Sequence, residues 1–271
     1  ILIFAIGIPY DAFYTAPKRY TVSYETLSDT SIPEQLDDIN ILYFTDLHYG
    51  KFMDNTRLTS LVNRINDLGP DVVLFGGDLT ERKLNREEKL KVIDLLSQID
   101  APLGKFAVLG DSDYRSTAET KLSIEILEAS GFELLYNESI LLRNKRSKGI
   151  TLVGIDSASG GNPDVTAAFQ NVAPNSYTIV MCHTPDTALT IPSHKTNYYL
   201  AGHSHGGQVY YIYDSLFKPD YCEYFFMGKD NYQDTFIVDV SSGVGTTQQD
   251  VRFLANAEVV IYRLKHLSTQ E

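Results

Sequence analysis

The sequence predicts one α/β domain, two sheets packed face to face with helices on the outer faces. Two observations carry this. Between residues 40 and 131, short apolar runs alternate with segments of helical periodicity, the β-α-β-α-β-α order of a parallel sheet. The apolar runs also end on residues of metal-ligand type. Residues 41–45 run into Asp46-Leu47-His48, 72–75 into Gly76-Gly77-Asp78, and 106–109 into Gly110-Asp111-Ser112-Asp113. Residues 178–182 run into His183, and 198–201 into Gly202-His203-Ser204-His205. Acids and histidines just past strand ends are the mark of a site at the carboxyl edge of a sheet.

The first eight residues are all apolar except Gly7, too few for a bilayer span of roughly 20. They read as the tail of an N-terminal membrane anchor, because Pro9, Tyr10 and Tyr14 follow like an interfacial belt. An edge strand is the competing reading, and a signal peptide is weaker, since no small-residue cleavage site follows. A start at Ile1 is expected of part of a longer chain. The expected organisation is an anchor remnant and lead-in strand over 1–37 and the main domain over 38–271.

Residues 20–27 alternate as a strand, and 28–38, with Pro33, form a polar loop. Asp54 or Asn55 caps a helix with Leu58, Leu61, Val62 and Ile65 on one face, stopped by Gly69-Pro70. Asn85 with Glu88, and Ser116 with Glu119, have capping-box spacing. They precede faces of Leu90, Ile93 and Leu96, and of Leu122, Ile126 and Leu127. After Gly131 the helices thin out. Strands are predicted at 140–142, 150–154, 209–213, 235–240 and 259–264, a basic hairpin loop at 144–148, and a short helix from Asn162-Pro163-Asp164 to Phe169.

Charge and cysteine content bound the function. Lys+Arg 23 against Asp+Glu 35 gives −12, which argues against a general nucleic-acid or anionic-membrane surface. An anionic ligand on so acidic a chain would need local positive charge, which bound divalent metals supply. Cys182 and Cys222 make no disulfide framework, and Cys182 in its apolar run reads as a buried thiol. Histidines two positions apart, as in His203 and His205, can aim both rings at one spot, and the flanking glycines let the backbone come close. Oxygen and imidazole donors without thiolate suit Mn²⁺, Fe or Zn²⁺.

The ordered set Asp-x-His, Gly-Asp, Gly-Asp-x-Asp, His and Gly-His-x-His over residues 46–205 resembles the calcineurin-like metallophosphoesterase superfamily. The resemblance implies a four-layer α/β/β/α sandwich of two mixed sheets and a metal-dependent phosphohydrolase with two divalent metal ions (Mn, Fe or Zn). Carried over by motif, Asp46, His48, Asp78 and His205 hold one metal. Asp78, Asp111, His183 and His203 hold the other, with Asp78 shared. His194 and His266 remain as surface residues.

The chain departs from the family pattern where most members have Gly-Asn-His-Asp or Gly-Asn-His-Glu. Asp111 stands in place of a neutral amide ligand, and Ser112 in place of a histidine that protonates or stabilises the leaving oxygen. Ser112 and Asp113 are the catalytic candidates. A missing general acid costs roughly 10²–10⁴ in rate where the leaving group needs a proton. A leaving phosphate needs none, so the motif fits pyrophosphate bonds or activated diesters.

Gly206-Gly207-Gln208 with Ser241-Ser242-Gly243-Val244-Gly245 and Arg252-Phe253 looks like the membrane-associated bacterial, YkuE-like branch. The tyrosines of 210–213, with Tyr221, Tyr224, Phe225 and Phe226, are mostly explained by strand packing. The sharper reading is an aromatic wall that takes a lipid or nucleobase. The expected substrate is a phosphate-ester small molecule or a lipid-linked nucleotide, with membrane attachment through the N-terminus and no nucleic-acid partner. Two alternatives stand beside it: a nucleotide phosphodiesterase without lipid preference, and a metal-binding pseudoenzyme that holds a phosphorylated ligand or partner without turnover.

Overall fold

The apolar runs become strands because β-branched and aromatic residues dominate them and both faces find cover. The computed structural model describes residues 2–211, 214–215 and 218–268. In chain order the first elements are α1 (Leu2–Tyr10), β1 (Tyr20–Asp29), β2 (Asn40–Phe44), α2 (Asn55–Leu68), β3 (Val72–Phe75), α3 (Arg86–Ser97), β4 (Lys105–Ala107), α4 (Thr117–Ala129) and β5 (Phe132–Leu134). The second half adds β6 (Glu138–Leu142), β7 (Ile150–Ile155), α5 (Val165–Ala168), β8 (Thr178–Cys182), β9 (Tyr198–Ala201), β10 (Tyr210–Tyr211), β11 (Asp214–Ser215), β12 (Gly228–Tyr232), β13 (Phe236–Val240) and β14 (Ala257–His266).

Two six-stranded mixed sheets result, ordered β1-β14-β2-β3-β4-β5 and β12-β13-β9-β8-β7-β6. In the first, β2 to β5 run parallel and β14 enters antiparallel to β2. In the second, β7, β8, β9 and β13 run parallel between antiparallel edges β6 and β12. Alternation sorts the side chains. Ile41, Tyr43, Val72 and Leu74 meet Ile150, Leu152, Ile179 and Met181 between the sheets. Leu42, Phe44, Val73 and Phe75 face α2, α3 and α4. Val153, Ile155, Val180, Cys182 and Tyr199 face the thin outer layer of α5 and the turns after it. This is the four-layer α/β/β/α arrangement expected.

Local chemistry sets the boundaries. Asp54 accepts from the Arg57 N–H at 2.9 Å, and Gly69 ends α2 at φ +57°. Asn85 and Glu88 form a reciprocal capping box, and Ser116 caps α4.

Five points need correction or completion. Residues 2–10 are helical, so the edge-strand reading fails; a short apolar run without alternation fits either period. On α3 the buried residues are Val92, Leu95 and Leu96, whereas Leu90 is 54 % exposed. At 100° per residue, position 90 lies 200° from 92 and faces solvent. The strand predicted at 209–213 is represented by β10, paired with β11; residues 212 and 213 lie outside the described residues. The sequence signal also missed β5 and β12, a three-residue strand and a strand of mostly exposed polar residues. Finally, the lead-in strand β1 pairs with β14 over ten residues and so belongs to the first sheet.

Candidate metal centre

Parallel strands deliver their carboxyl ends to one edge, and here both sheets do so side by side. Asp46 and His48 follow β2, Asp78 follows β3, and Asp111 follows β4. From the second sheet, His183 follows β8, and His203 and His205 follow β9. The structure brings all seven sequence-predicted ligands together. Asp46, His48 and His205 form one group of donor atoms and Asp111, His183 and His203 another. Asp78 joins them, with Oδ2 at 3.2 Å from His48 Nε2 and 3.4 Å from His183 Nε2.

Aiming side chains into so small a volume bends the backbone. Asp46, His48, Asp78, His203 and His205 all have φ between +47° and +70°. That left-handed region is disfavoured for residues with a Cβ, and such strain concentrates at functional sites. The β4 turn comes in so close that a Cβ on Gly110 would overlap the Asp78 carboxylate.

The hydrogen bonds assign the imidazole nitrogens. His48 Nδ1 is 2.8 Å from Glu81 Oε2, His183 Nδ1 is 2.8 Å from the Gly76 carbonyl, and His203 Nε2 is 2.8 Å from the Asp220 carbonyl. The His183 and His203 nitrogens bond to these carbonyls and His48 Nδ1 stands at ion-pair distance from Glu81, which leaves the other nitrogen of each ring turned inward. Those inward nitrogens face carboxylate oxygens: His183 Nε2 and His203 Nδ1 lie 3.1 and 2.8 Å from Asp111 Oδ1. His48 Nε2 and His205 Nε2 point at each other at 3.0 Å. Between lone pairs so placed there must be a proton or a cation. The donor set, the spacing and the tethered outer nitrogens all fit divalent metal ions, as carboxylate–histidine–metal arrangements do.

Electrostatics agrees. Burial opposes charge on His48, but hydrogen bonds to Asp78 and Glu81 outweigh it and raise its pKa to about 10. Burial also opposes charge on His183, and Asp78 and Asp111 again prevail, well above the usual range. His205 is held well below it by burial and by His48 and Arg252. Burial and the Asp78 charge would raise Asp111, but its bonds to His183 and His203 win and bring it to about 2. Carboxylates that keep imidazoles charged to such high pH make protons and metals competitors for the same nitrogens. Because the His48 pKa is raised, its proton is present through neutral pH and is lost only as pH rises towards 10. Apparent Mn²⁺ affinity is therefore expected to increase with pH from 6 to 8, with proton release. Calorimetry in buffers of different ionisation enthalpy measures this; affinity independent of pH would contradict it.

Ser112 and Asp113 separate. Ser112 lines the cleft together with Asp111, His203 and His205. It is 6 % exposed, its Oγ has no hydrogen-bond partner, and its N–H donates to Asp78 Oδ1 at 2.8 Å. Asp113 is fully buried and saturated. It accepts from the N–H groups of Asp78, Leu79 and Gly110 and from Ser123 Oγ. The catalytic role read for Asp113 from its place in the motif is thus corrected to a positioning one, since it fastens the Asp78 turn against the Gly110 turn.

Sequence reasoning missed Glu81, whose other oxygen, Oε1, accepts from Thr247 Oγ1 at 3.0 Å. The available signal was an acid three residues after Asp78. It also missed Asp186, which accepts from the N–H groups of Glu223, Tyr224 and Phe225 at 2.7, 3.1 and 3.0 Å. The Asp186 N–H in turn donates to the Tyr221 carbonyl, which pins the loop whose Asp220 carbonyl orients His203.

A family model described as calcineurin-like phosphoesterase matches residues 39–207. The chain is 28 % identical over 255 residues to an uncharacterized metallophosphoesterase, YkuE, of Bacillus subtilis, covering 94 % of this chain and 88 % of that protein. It is 26 % identical over 266 residues to an uncharacterized metallophosphoesterase of Aquifex aeolicus, covering 94 % of each. A transmembrane protein with metallophosphoesterase domain from Danio rerio is 28 % identical over 247 residues, covering 86 % of this chain and 55 % of that protein.

Proposed function

The chain belongs to the calcineurin-like phosphoesterase family, and from that premise we propose that it hydrolyses a phosphodiester or pyrophosphate bond in a lipid- or nucleotide-linked substrate. The single observation that carries the chemistry is the convergence of Asp46, Asp78, Asp111, His48, His183, His203 and His205 into two adjoining donor groups with Asp78 between them. In this reading the first group holds one divalent ion, the second holds another, and Asp78 is shared. Two such ions, when bound, neutralise phosphoryl charge and make water a competent nucleophile near neutral pH.

The chain's own residues do the rest. Glu81, the Gly76 carbonyl and the Asp220 carbonyl hold the rings of His48, His183 and His203 in register. Asp113 locks the two turns that present Asp78 and Asp111. Ser112 lines the cleft where the family commonly has an imidazole, so protonation of a poor leaving group is unassisted there. That supports a substrate with an intrinsically good leaving group. Part of the aromatic wall is supported: in the loop from Lys218 to Met227, Pro219 lines the cleft and Tyr221 and Tyr224 are exposed, whereas Phe225 is buried in the core of the second sheet's outer face. A non-catalytic role is not favoured, since a ligand-type side chain stands at every metal position of the family's motifs.

The test is hydrolysis of bis-p-nitrophenyl phosphate by chelator-stripped protein before and after Mn²⁺ is restored. Metal-dependent turnover is expected; none in a protein that has taken up Mn²⁺ would contradict the proposal.

Asp111 makes a further prediction. Asp111→Asn removes one negative charge from the cluster and replaces a charged ligand with a weaker neutral one. Inorganic phosphate should then inhibit at lower concentration, while metal affinity in the His183–His203 group falls. Unchanged phosphate inhibition and unchanged metal affinity together would remove Asp111 from the ligand set.

The N-terminal segment supports attachment at a membrane surface. No helix among the described residues is long and apolar enough to cross a membrane. Ile6, Ile8, Tyr10, Phe13 and Tyr14 are nonetheless exposed together on one short segment, with Tyr10 and Tyr14 stacked at 5.3 Å. Removing residues 1–15 should abolish co-sedimentation with phosphatidylcholine vesicles. Equal sedimentation of the shortened and full chains would count against attachment through this segment.

A further inference from the structure

Arg252 is the largest fully buried side chain among the described residues, 1 % exposed. Its guanidinium donates to four main-chain carbonyls: Ala255 at 2.9 Å, Ser242 at 2.8 Å, Gly243 at 3.0 Å and Gly245 at 2.6 Å. A buried cation is costly to the fold unless its hydrogen bonds fix something the fold needs.

What these bonds fix is the turn after β13. That turn donates back to the end of β2, from the Val244 N–H to the Thr45 carbonyl at 3.0 Å and from the Gly245 N–H to the Asp46 carbonyl at 2.8 Å. Its Gly243, at φ +69°, lies against the Asp46 side chain, where an added Cβ would sit 2.7 Å from Asp46 Cβ. Asp46 itself holds a left-handed backbone at φ +55°, with its carboxylate Oδ1 3.5 Å from His205 Nε2. A strained ligand needs support from behind, and the turn gripped by Arg252 is what stands behind it.

We propose that Arg252 is a positioning residue for the Asp46–His48–His205 metal group, acting through the 242–245 turn on the Asp46 backbone. The proposal rests on the two-metal reading of the site. Arg252 makes no hydrogen bond to any of the seven ligands; the Asp46 carboxylate also accepts from the His203 N–H at 3.1 Å, but the gripped turn bonds to the Asp46 backbone, so the effect should be much the larger at the Asp46–His48–His205 position.

Mn²⁺ titration calorimetry tests this on the full chain with Arg252→Lys and Arg252→Met. Wild-type protein should bind two Mn²⁺. Arg252→Met should weaken one of them at least tenfold, and Arg252→Lys by less, with the other position within about twofold of wild type. In a His205→Ala background, where the first position is already lost, Arg252→Met should add nothing further.

Arg57→Met is the control for general destabilisation. Arg57 is also buried, but it grips the carbonyls of Pro17 and Phe52 and the Asp250 carboxylate instead of the turn. It should lower the melting temperature while both Mn²⁺ affinities stay.

Equal weakening of both positions by the Arg252 variants, or two wild-type affinities in them, would overturn the proposal. If Arg252→Met does not fold, the lysine variant decides by the same criterion. Fewer than two Mn²⁺ on the wild-type chain would instead overturn the two-metal reading.

Discussion

Asp78→Ala is expected to lose both divalent ions and, with them, all metal-dependent phosphoesterase turnover. No other candidate ligand stands so squarely between the groups: its Oδ2 is 3.2 Å from His48 Nε2 and 3.4 Å from His183 Nε2. Its Oδ1 accepts from the Ser112 N–H, and its own N–H is held by Asp113, so the carboxylate cannot swing to serve one side alone. Loss of a residue that merely orients a ligand costs about 10–100-fold in metal affinity, so loss of a shared ligand should cost at least that at each position. Metal content after gel filtration, with bis-p-nitrophenyl phosphate turnover on the same sample, measures it. A variant that retains two equivalents of metal would show that Asp78 is not shared.

The second large effect concerns the leaving group. Ser112 Oγ is buried at the cleft without a partner, and a hydroxyl cannot donate its proton near neutral pH as an imidazolium can. Wild-type protein should therefore cleave p-nitrophenyl esters and pyrophosphate bonds faster than glycerol phosphate or phosphoserine, by about 10²–10⁴ once binding is matched. Ser112→His should raise alkyl-ester hydrolysis far more than nitrophenyl-ester hydrolysis. The comparison is of kcat/KM across the series for both proteins. Equal rates on alkyl and nitrophenyl esters in the wild-type chain would show that another group supplies the proton.

Much of this was legible in the sequence because strands with both faces buried are continuous apolar runs, and the ligand-type residues stand immediately after them. Asp46, Asp78, Asp111, His183 and His203 all follow strands that the structure contains. The capping signals at Asn85 and Ser116 set helix starts to the residue, and the pair Asp54 and Asn55 set the third to within one, with Asp54 the cap. Less was legible where meaning depends on a partner distant in sequence. Asp113 sits in the motif beside Ser112, and only the positions of Asp78 and Ser123 around it show a saturated, buried carboxylate. Glu81 gains its role from the His48 ring, and Asp186 from a loop 37 to 39 residues away. The N-terminal run left strand and helix open for another reason: its apolar residues carry neither period, and the structure makes residues 2–10 a helix.

The two-metal centre itself is tested most directly by crystals soaked in Mn²⁺ and measured at the manganese absorption edge. Two anomalous peaks are expected, about 4 Å apart. One should lie within about 2.5 Å of donor atoms of Asp46, His48, Asp78 and His205, the other within the same distance of Asp78, Asp111, His183 and His203. A single peak, or none within that distance of these side chains, would contradict the two-metal assignment.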